Sequence, residues 1–367
     1  MSTWLWRAAW FLVPLAWAVH HFARSDALTF ALAALSLIPL AKTMGDATEA
    51  LAETMGPGAG SLLNATFGNA AELILAISAL RHGHVALVKG SITGSILGNL
   101  LLVAGASVVA GGIKFERLRF NKLAASTSVA TLFLAVVAMT VPTFLSPRHA
   151  RLLSEEISVV LIVMYGLSLL FQFRTHTRLL TAEPRPHLYA ATPAEAAAEK
   201  KKRAAAKAVR RHEPNLGLEL GKLCFAAAVT AVASELLVGS LDGTVQAFHL
   251  PEMFVGVVIV AIVGNAAEHS TAVIFARRGE MDVALGIAWE SSKQIALFVA
   301  PVLVFVGLLL GVPMDLAFTR FEVIALGISV LSLALIALDG ETNWLEGAFL
   351  LAVYAVLGMG FYFAATP

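Results

Sequence analysis

The chain consists of long apolar runs separated by short polar segments. A run of about 20 apolar residues forms a helix that spans the roughly 30 Å hydrocarbon core of a bilayer. The runs predict eleven helices, near residues 3–20, 27–53, 59–80, 84–112, 121–144, 154–173, 216–240, 251–276, 282–311, 319–338 and 344–364. The expected fold class is therefore an all-α polytopic membrane protein with about eleven transmembrane helices.

The composition agrees with a membrane protein and excludes most soluble classes. Of the 367 residues, 58% are hydrophobic and only 14% are charged, and the mean hydropathy is +0.79. A soluble chain carries about a quarter charged residues because it needs a hydrated surface. The lone cysteine, Cys224, lies in an apolar run and offers no disulfide framework. The expected surroundings are the lipid bilayer, with no nucleic-acid partner.

One long polar segment divides the chain into two halves. It contains AEAAAEKKKRAAAKAVRR at residues 194–211 and is rich in helix formers. The segment predicts a solvated basic helix between two membrane halves. The expected organisation is an N-terminal peripheral helix at 1–26, a first five-helix repeat at 27–173, a basic cytoplasmic linker at 174–215 and a second five-helix repeat at 216–367.

The distribution of Lys and Arg predicts the orientation. Most basic residues outside the apolar runs fall on the side of the 174–214 segment, which supplies most of that excess. By the positive-inside rule, this side and the N-terminus are cytoplasmic. The Ala-rich, compact chain favours the cytoplasmic (inner) membrane of a bacterium.

An internal repeat links the two halves. GNAAEL at residues 68–73 recurs as GNAAEH at 264–269, an offset of 196 residues. At the same offset Arg81 matches Arg277, Gly83 matches Gly279, Gly90 matches Gly286 and Ser95 matches Ser291. Five membrane crossings, an odd number, separate the two copies, so they enter the membrane from opposite sides. Such inverted repeats place a substrate site between the halves near the midplane and support alternating access.

The repeated motif carries two acidic residues inside apolar segments, Glu72 and Glu268. A carboxylate at this depth costs several kcal/mol unless it faces a cavity or a partner, so a functional role is expected. Asn69 and Asn265 precede them by three residues, on the same helical face. Carboxylate and amide oxygens suit a hard cation such as calcium, which takes 6–8 oxygen ligands. We therefore predict a metal site formed by these four residues.

Polar stripes accompany the motif on the following helices. Ser95 and Asn99 lie one turn apart on the fourth predicted helix, and Ser291, Ser292 and Gln294 occupy corresponding positions on the ninth. These residues either line the cavity or join helices by hydrogen bonds. We also expect the third and eighth helices to be interrupted near Gly68 and Gly264, which would expose backbone carbonyls to an ion.

Three further acidic residues are candidates for the cavity or proton pathway. ATE at 47–49 resembles ASE at 233–235, which matches Glu49 with Glu235. These two would line cation entry or relay protons; the alternative is a partly solvated helix end, in which Lys42 pairs with Asp46. Glu290 and Lys293 lie one turn apart and are either a local ion pair or a third site carboxylate with an internal counter-charge.

These motifs resemble those of the calcium/proton exchanger family, within the calcium/cation antiporter superfamily. NATFGNAAELI at 64–74 and GSILGNLLLV at 94–103 look like that family's first repeat signature. VGNAAEHSTA at 263–272 and SSKQIALFVAP at 291–301 look like its second. The resemblance covers nearly the whole chain. It implies one peripheral helix followed by two inverted five-helix halves.

The resemblance also implies roles for residues. Glu72 and Glu268 would bind calcium and protons, helped by Asn69 and Asn265. Other residues would line the same cavity: Ser95, Asn99, Ser291, Ser292 and Gln294. Two features depart from the family: Glu290 stands where a glycine is usual, and the linker is basic where many relatives carry an acidic segment.

The predicted function is secondary active exchange of calcium for protons, with Glu72 and Glu268 alternately binding cation or protons. A sodium or potassium/proton antiporter is the alternative, since carboxylate sites also serve monovalent ions. An enzyme is not expected, because no HExxH occurs and no GxSxG lies in a suitable context. No cofactor is expected beyond the transported ions, and the oligomeric state, including a homo-oligomer, stays open.

Overall fold

The computed structural model describes residues 3–176 and 215–364, which are almost entirely helical. Most of the predicted basic linker therefore lies outside the described residues. The helices are α1 (Thr3–Ala18), α2 (Asp26–Phe67), α3 (Ala70–Arg81), α4 (Val85–Gly112), α5 (Lys122–Thr143), α6 (Pro147–Thr175), α7 (Leu216–Gly239), α8 (Leu241–Phe248), α9 (Glu252–Gly264), α10 (Ala266–Arg277), α11 (Met281–Leu310), α12 (Arg320–Ile336) and α13 (Trp344–Ala364). A two-residue strand β1 (Leu118–Arg119) pairs antiparallel with β2 (Glu341–Thr342).

The all-α membrane fold is confirmed. Within the described ranges, seven helices are long and apolar enough to cross a membrane. An eighth span is added if α8 and α9, which meet at an angle of 110°, are counted as one broken helix. The expected total of eleven crossings stays a prediction.

Helix α2 differs from the predicted pair of helices at 27–53 and 59–80. Its helical backbone continues to Phe67 without a loop. However, the backbone of Gly60 lies against the carbonyl oxygen of Ala52, eight residues earlier. A straight helix would separate them by about 12 Å, so α2 bends sharply between these residues. Between these two residues the sequence contains Pro57, and a proline, which has no N–H to donate, is a common cause of such a bend.

The interruptions expected near Gly68 and Gly264 are confirmed, and they match in detail. Asn69 (φ −103°, ψ 24°) precedes α3, and Asn265 (φ −94°, ψ 5°) precedes α10. Both following helices have 12 residues. Each helix is followed by a glycine with a left-handed backbone, Gly83 at φ +82° and Gly279 at φ +77°. Residues that have a Cβ atom rarely adopt this conformation. The sequence repeat is thus also a backbone repeat.

Contacts between loops define two ends of the helical bundle. At the first, called the Arg81 end, His84 lies 3.3 Å from Glu252 and Lys89 Nζ lies 2.5 Å from Asp315. Arg81 belongs to the same cluster of loops. These contacts join the loop before α4 to segments of the second half of the chain.

The second end, called the Arg277 end, has its own set of contacts. Lys114 Nζ donates to the carbonyl oxygen of Arg277 at 3.4 Å, and the Asn121 backbone N–H donates to Asp282 at 2.6 Å. The strand pair joins the segment before α5 to the segment before α13 at this end. Arg81 and Arg277, which match in the sequence repeat, therefore lie at opposite ends, as an inverted repeat requires.

The helices that follow the two motifs form the centre of the bundle. In α4, 83% of the apolar window is buried, and in α11 56% is buried, whereas α6, α7 and α13 bury about a fifth of theirs. Helix α7 packs along α2, and α13 covers the second half of α4. The two central helices are those predicted to carry the polar stripes.

Candidate functional site

The two motif glutamates meet at the centre of the bundle. Glu72 and Glu268 each lie in the first turn of the helix after its break. Glu72 reaches the break of the opposite repeat, where a Cβ atom added to Gly264 would lie 3.8 Å from its Cγ. The two carboxylates are close enough for their charges to interact. The absence of a side chain at Gly264 thus leaves space for Glu72.

Three asparagines around the glutamates form hydrogen bonds that cross between the repeats. In each, the amide nitrogen is the donor. The bonds run from Asn69 to Gln294 Oε1 at 2.5 Å, from Asn265 to Ser95 Oγ at 2.9 Å and from Asn99 to Ser291 Oγ at 2.9 Å. Every bond joins a residue of the first repeat to one of the second. Each of the three amide groups therefore donates one hydrogen bond to the opposite half.

The same groups leave a set of buried oxygens free. Five oxygen atoms of these residues are buried and accept no hydrogen bond from any described residue: Asn69 Oδ1, Asn99 Oδ1, Asn265 Oδ1, Glu72 Oε2 and Glu268 Oε2. Other unpartnered polar atoms occur elsewhere, but these five belong to the two motif glutamates and to the three asparagines described above. A buried acceptor without a partner is costly. Buried carboxylate and amide oxygens without a partner are suited to a hard cation.

The ligand chemistry favours a hard cation. Calcium takes 6–8 oxygen ligands, and the site offers five protein oxygens, two of them on carboxylates. Water or the backbone carbonyls at the helix breaks can supply the others. Soft metals prefer sulfur or imidazole ligands. In the part of the chain that the structure describes, no cluster of three or more His, Cys, Asp or Glu side chains could hold a metal. The site thus depends on amides as well as carboxylates.

Two of the predicted stripe serines differ in their contacts. The Ser291 hydroxyl accepts from Asn99 and also hydrogen-bonds the Glu268 carboxylate. Ser292 instead donates to the carbonyl oxygen of Ala288 in its own helix at 2.9 Å and is completely buried. The structure therefore brings Ser291 to Glu268, and it links Asn99 to Ser291. It also links Ser95 and Gln294 to the motif asparagines, whereas the hydrogen bond of Ser292 stays within its own helix.

Glu235 and Glu49 lie away from this cluster and in different surroundings. Glu235 accepts from Arg81 at 3.3 Å and from Ser78 at 3.0 Å, at the Arg81 end. Glu49 is exposed and forms no ion pair with another described residue. The pair expected on the same helix, Lys42 with Asp46, does form, at 2.8 Å. The next acidic residue of this helix in the sequence, Glu53, has a side chain outside the described part of the structure.

Glu290 and Lys293 form the local ion pair that their spacing predicts, with Nζ 2.5 Å from Oε1. The lysine side chain is only 7% exposed, whereas that of Glu290 is 36% exposed. Because Ser291 and Gln294 follow them directly in α11, the pair lies within one helical turn of two residues of the central cluster.

The structure also shows features that the sequence reasoning missed. The hydroxyl of Thr93 donates to the completely buried Glu322 at 2.9 Å. Glu322 also forms a capping box with Thr319, a spacing that was readable in the sequence. Helices α4 and α11 each contain a π-helical stretch at the polar stripe: Gly98–Val103 includes Asn99, and Ile295–Val299 follows Gln294. Such stretches often occur at functional sites.

Helices α4 and α9 pack closely against each other. A methyl group at Gly94 would overlap the carbonyl oxygen of Val257, and one at Gly90 would lie 2.9 Å from that of Met253. The match of Gly90 in the second repeat, Gly286, has open space around it. The two halves therefore share the geometry of the central site but differ in how closely they pack beside it.

Comparisons with known proteins identify similar sequences and folds. The sodium/calcium exchanger protein family matches residues 25–174 and 219–363. A Ca(2+)/H(+) antiporter of Synechocystis sp. (strain ATCC 27184 / PCC 6803 / Kazusa) is 43% identical over 360 residues, covering 96% of this chain and 95% of the relative. The Ca(2+)/H(+) antiporter ChaA of Bacillus subtilis (strain 168) is 41% identical, covering 92% of each chain.

Solved structures agree with this similarity. The structure of native YfkE has a TM-score of 0.80 and 36% sequence identity, and the match covers 98% of this chain and 99% of that chain. The H+/Ca2+ exchanger CAX has a TM-score of 0.67, with 98% of this chain and 90% of that chain covered. Its identity is 16%, so this likeness concerns the fold alone.

Proposed function

The chain belongs to the sodium/calcium exchanger protein family, and we propose on that basis that it is a secondary active transporter that exchanges calcium for protons. The observation that carries the proposal is the cluster of five unpartnered buried oxygens around Glu72 and Glu268. The relatives named as Ca(2+)/H(+) antiporters are similar in sequence to this chain over most of its length. The alternative, a sodium or potassium/proton antiporter, lacks such support.

In the proposed mechanism, the two glutamates hold either the cation or protons. With calcium bound, both carboxylates are ionised, and their two charges balance the ion. Without calcium, two like charges would face each other in a low-dielectric interior, so proton binding is favoured. The three amide oxygens contribute to the cation only. Because calcium and protons exclude each other at one site, binding of calcium requires release of the protons, and binding of protons requires release of calcium.

Alternating access follows from the inverted repeat. We infer that the Arg81 end is closed in this conformation, because α4 packs tightly against α9 beside it and Glu235 is paired with Arg81. Glu49, its match in the first half, is exposed. We assign Glu49 to cation entry in this conformation and Glu235 to entry in the opposite one, after it separates from Arg81. Rearrangement would exchange the open and closed ends.

We also propose a topology for the whole chain. Residues 1–26 form a peripheral helix, and 27–173 and 216–367 form inverted five-helix halves joined by a cytoplasmic linker. With a cytoplasmic N-terminus in the inner membrane, an inward proton gradient would drive calcium export. The mechanism uses no cofactor, and it requires no second copy of the chain.

Ion-dependent proton release from the purified protein in liposomes tests this function. Calcium should release protons at low concentration, whereas sodium and potassium should not. Glu72→Gln and Glu268→Gln should each abolish the signal, because a neutral amide cannot balance the ion. Glu156→Gln, an exposed carboxylate on α6, is the matched control and should behave like the wild type. Retention of calcium-driven release by both site variants would refute the assignment.

A further inference from the structure

The Glu290–Lys293 pair is the largest chemical difference between the two copies of the site. At the repeat offset of 196 residues, Glu290 corresponds to Gly94 and Lys293 to Leu97. Gly94 allows α4 to touch the backbone of α9. The second repeat replaces this small apolar surface with two charges. Charged residues inside a membrane bundle are costly and are usually functional.

The pair is arranged so that each charge depends on the other. Lys293 is nearly completely buried, and Glu290 is its one hydrogen-bond acceptor among the described residues. Tyr165 of α6 lies near Glu290, and its buried hydroxyl has no partner within the described ranges. Glu290 is 36% exposed, and because a carboxylate facing hydrocarbon would be costly, we expect its exposed side to face a polar part of the bundle.

The pair is also close enough to influence the ion site. Glu290 precedes Ser291, which hydrogen-bonds Asn99 and Glu268, and Lys293 precedes Gln294, which hydrogen-bonds Asn69. A single unpaired charge within one helical turn of the site acts strongly on a divalent ion, because their electrostatic interaction energy scales with the product of the two charges. The balanced pair avoids this effect.

We propose that Lys293 serves as a tethered cation for Glu290 and so determines ion selectivity. A free carboxylate beside the site would attract a second cation, and a monovalent ion could then bind together with calcium or in its place. The lysine ammonium fills that position permanently. The site therefore presents two free carboxylates, which match one divalent ion. This inference rests on the proposed calcium site, and it assigns Glu290 and Lys293 to selectivity.

Three variants test the inference by equilibrium binding of radioactive calcium and sodium to the purified protein in detergent. Lys293→Met frees Glu290 and should lower the sodium concentration that displaces calcium at least tenfold. Glu290→Gln leaves the lysine charge unbalanced and should weaken calcium binding at least tenfold. The double variant Glu290→Gln with Lys293→Met removes both charges and should return calcium affinity to within about threefold of the wild type.

The Lys89–Asp315 pair provides a matched control, because it has the same 2.5 Å separation but lies at the Arg81 end. Lys89→Met and Asp315→Asn should leave the sodium-to-calcium ratio unchanged. If Lys293→Met gains no sensitivity to sodium while the double variant folds and binds calcium, the inference is wrong. If the wild type binds sodium as well as calcium, the inference fails too. If the wild-type protein in liposomes shows no calcium-driven proton release, the proposed function is wrong instead.

Discussion

The two ends of the bundle differ more than the two halves of the site. At the centre, Asn69 and Asn265 have nearly the same backbone angles, and each glutamate follows its break by three residues. At the Arg81 end, α4 touches α9 through glycines, and Arg81 pairs with Glu235. At the Arg277 end, no ion pair joins Arg277 to a described residue. Similar sequences in unlike packing are what the proposed alternating-access mechanism expects of one of its two conformations.

This comparison separates two roles of the repeat. Under the proposed mechanism, symmetry at the centre would keep one set of ligands available from either side, and asymmetry beside the centre would decide which side is open. Substitutions at matched central positions should therefore have equal effects, whereas substitutions at matched peripheral positions should differ in their effects.

The largest expected effect concerns the central carboxylates. Glu72→Asp and Glu268→Asp withdraw the charge by one methylene and should each weaken calcium binding about hundredfold, since charge-assisted contacts are worth about 1.5–3 kcal/mol. The two losses should agree within about threefold. Calcium titration of the purified variants measures both. A loss confined to one variant would contradict the equivalence of the two breaks.

Asn69→Ala and Asn265→Ala should have the next largest effect, about tenfold weaker calcium binding each. Each substitution removes one amide oxygen from the site and one hydrogen bond to the other repeat, a combined change of about 1–2 kcal/mol. The same titration gives the affinity. Ser292→Ala is the control, because its hydroxyl bonds within its own helix. Weaker binding in the control comparable to that of the asparagine variants would show that the effect is structural.

Much of the architecture was predictable because hydropathy determines which segments enter a bilayer. The breaks near Gly68 and Gly264 were also predictable, since a repeated Gly-Asn before a buried glutamate has few other uses. The sharp bend of α2 was not, because a helical backbone can turn without a loop. Hydropathy does not distinguish a bend from a loop.

The partners within the site were less predictable than its members. The asparagines and glutamates follow from local motifs. The bond between Asn69 and Gln294 joins residues 225 positions apart, and it depends on how α3 and α11 rotate against each other. Rotation also explains why Ser291 faces the site while its neighbour Ser292 does not. Periodicity gives the face of a helix only approximately, and adjacent serines differ by about 100°.

Matched glycines beside the site should shift the conformational balance in opposite directions. Gly90→Ala places a methyl group against the Met253 carbonyl and should disfavour the conformation closed at the Arg81 end by about 1–3 kcal/mol. Gly286→Ala meets no atom here, so it should leave this conformation unchanged and disfavour the opposite one. In a Cys224→Ala background, labelling of a cysteine at Val257 should increase in the first variant and decrease in the second. Equal changes would contradict the inverted pairing.

The smallest expected effect separates Glu49 from Glu235. Exposed Glu49 should attract cations to the open end, so Glu49→Gln should slow calcium association a few-fold, and most at low ionic strength, because surface charges act through a screened field. Glu235→Gln should leave association from that end unchanged, since Glu235 is held by Arg81 at the other end. Stopped-flow calcium binding at two salt concentrations measures the difference. Equal slowing in both variants would show that the two acids share one entrance, and the assignment of opposite ends to them would fall.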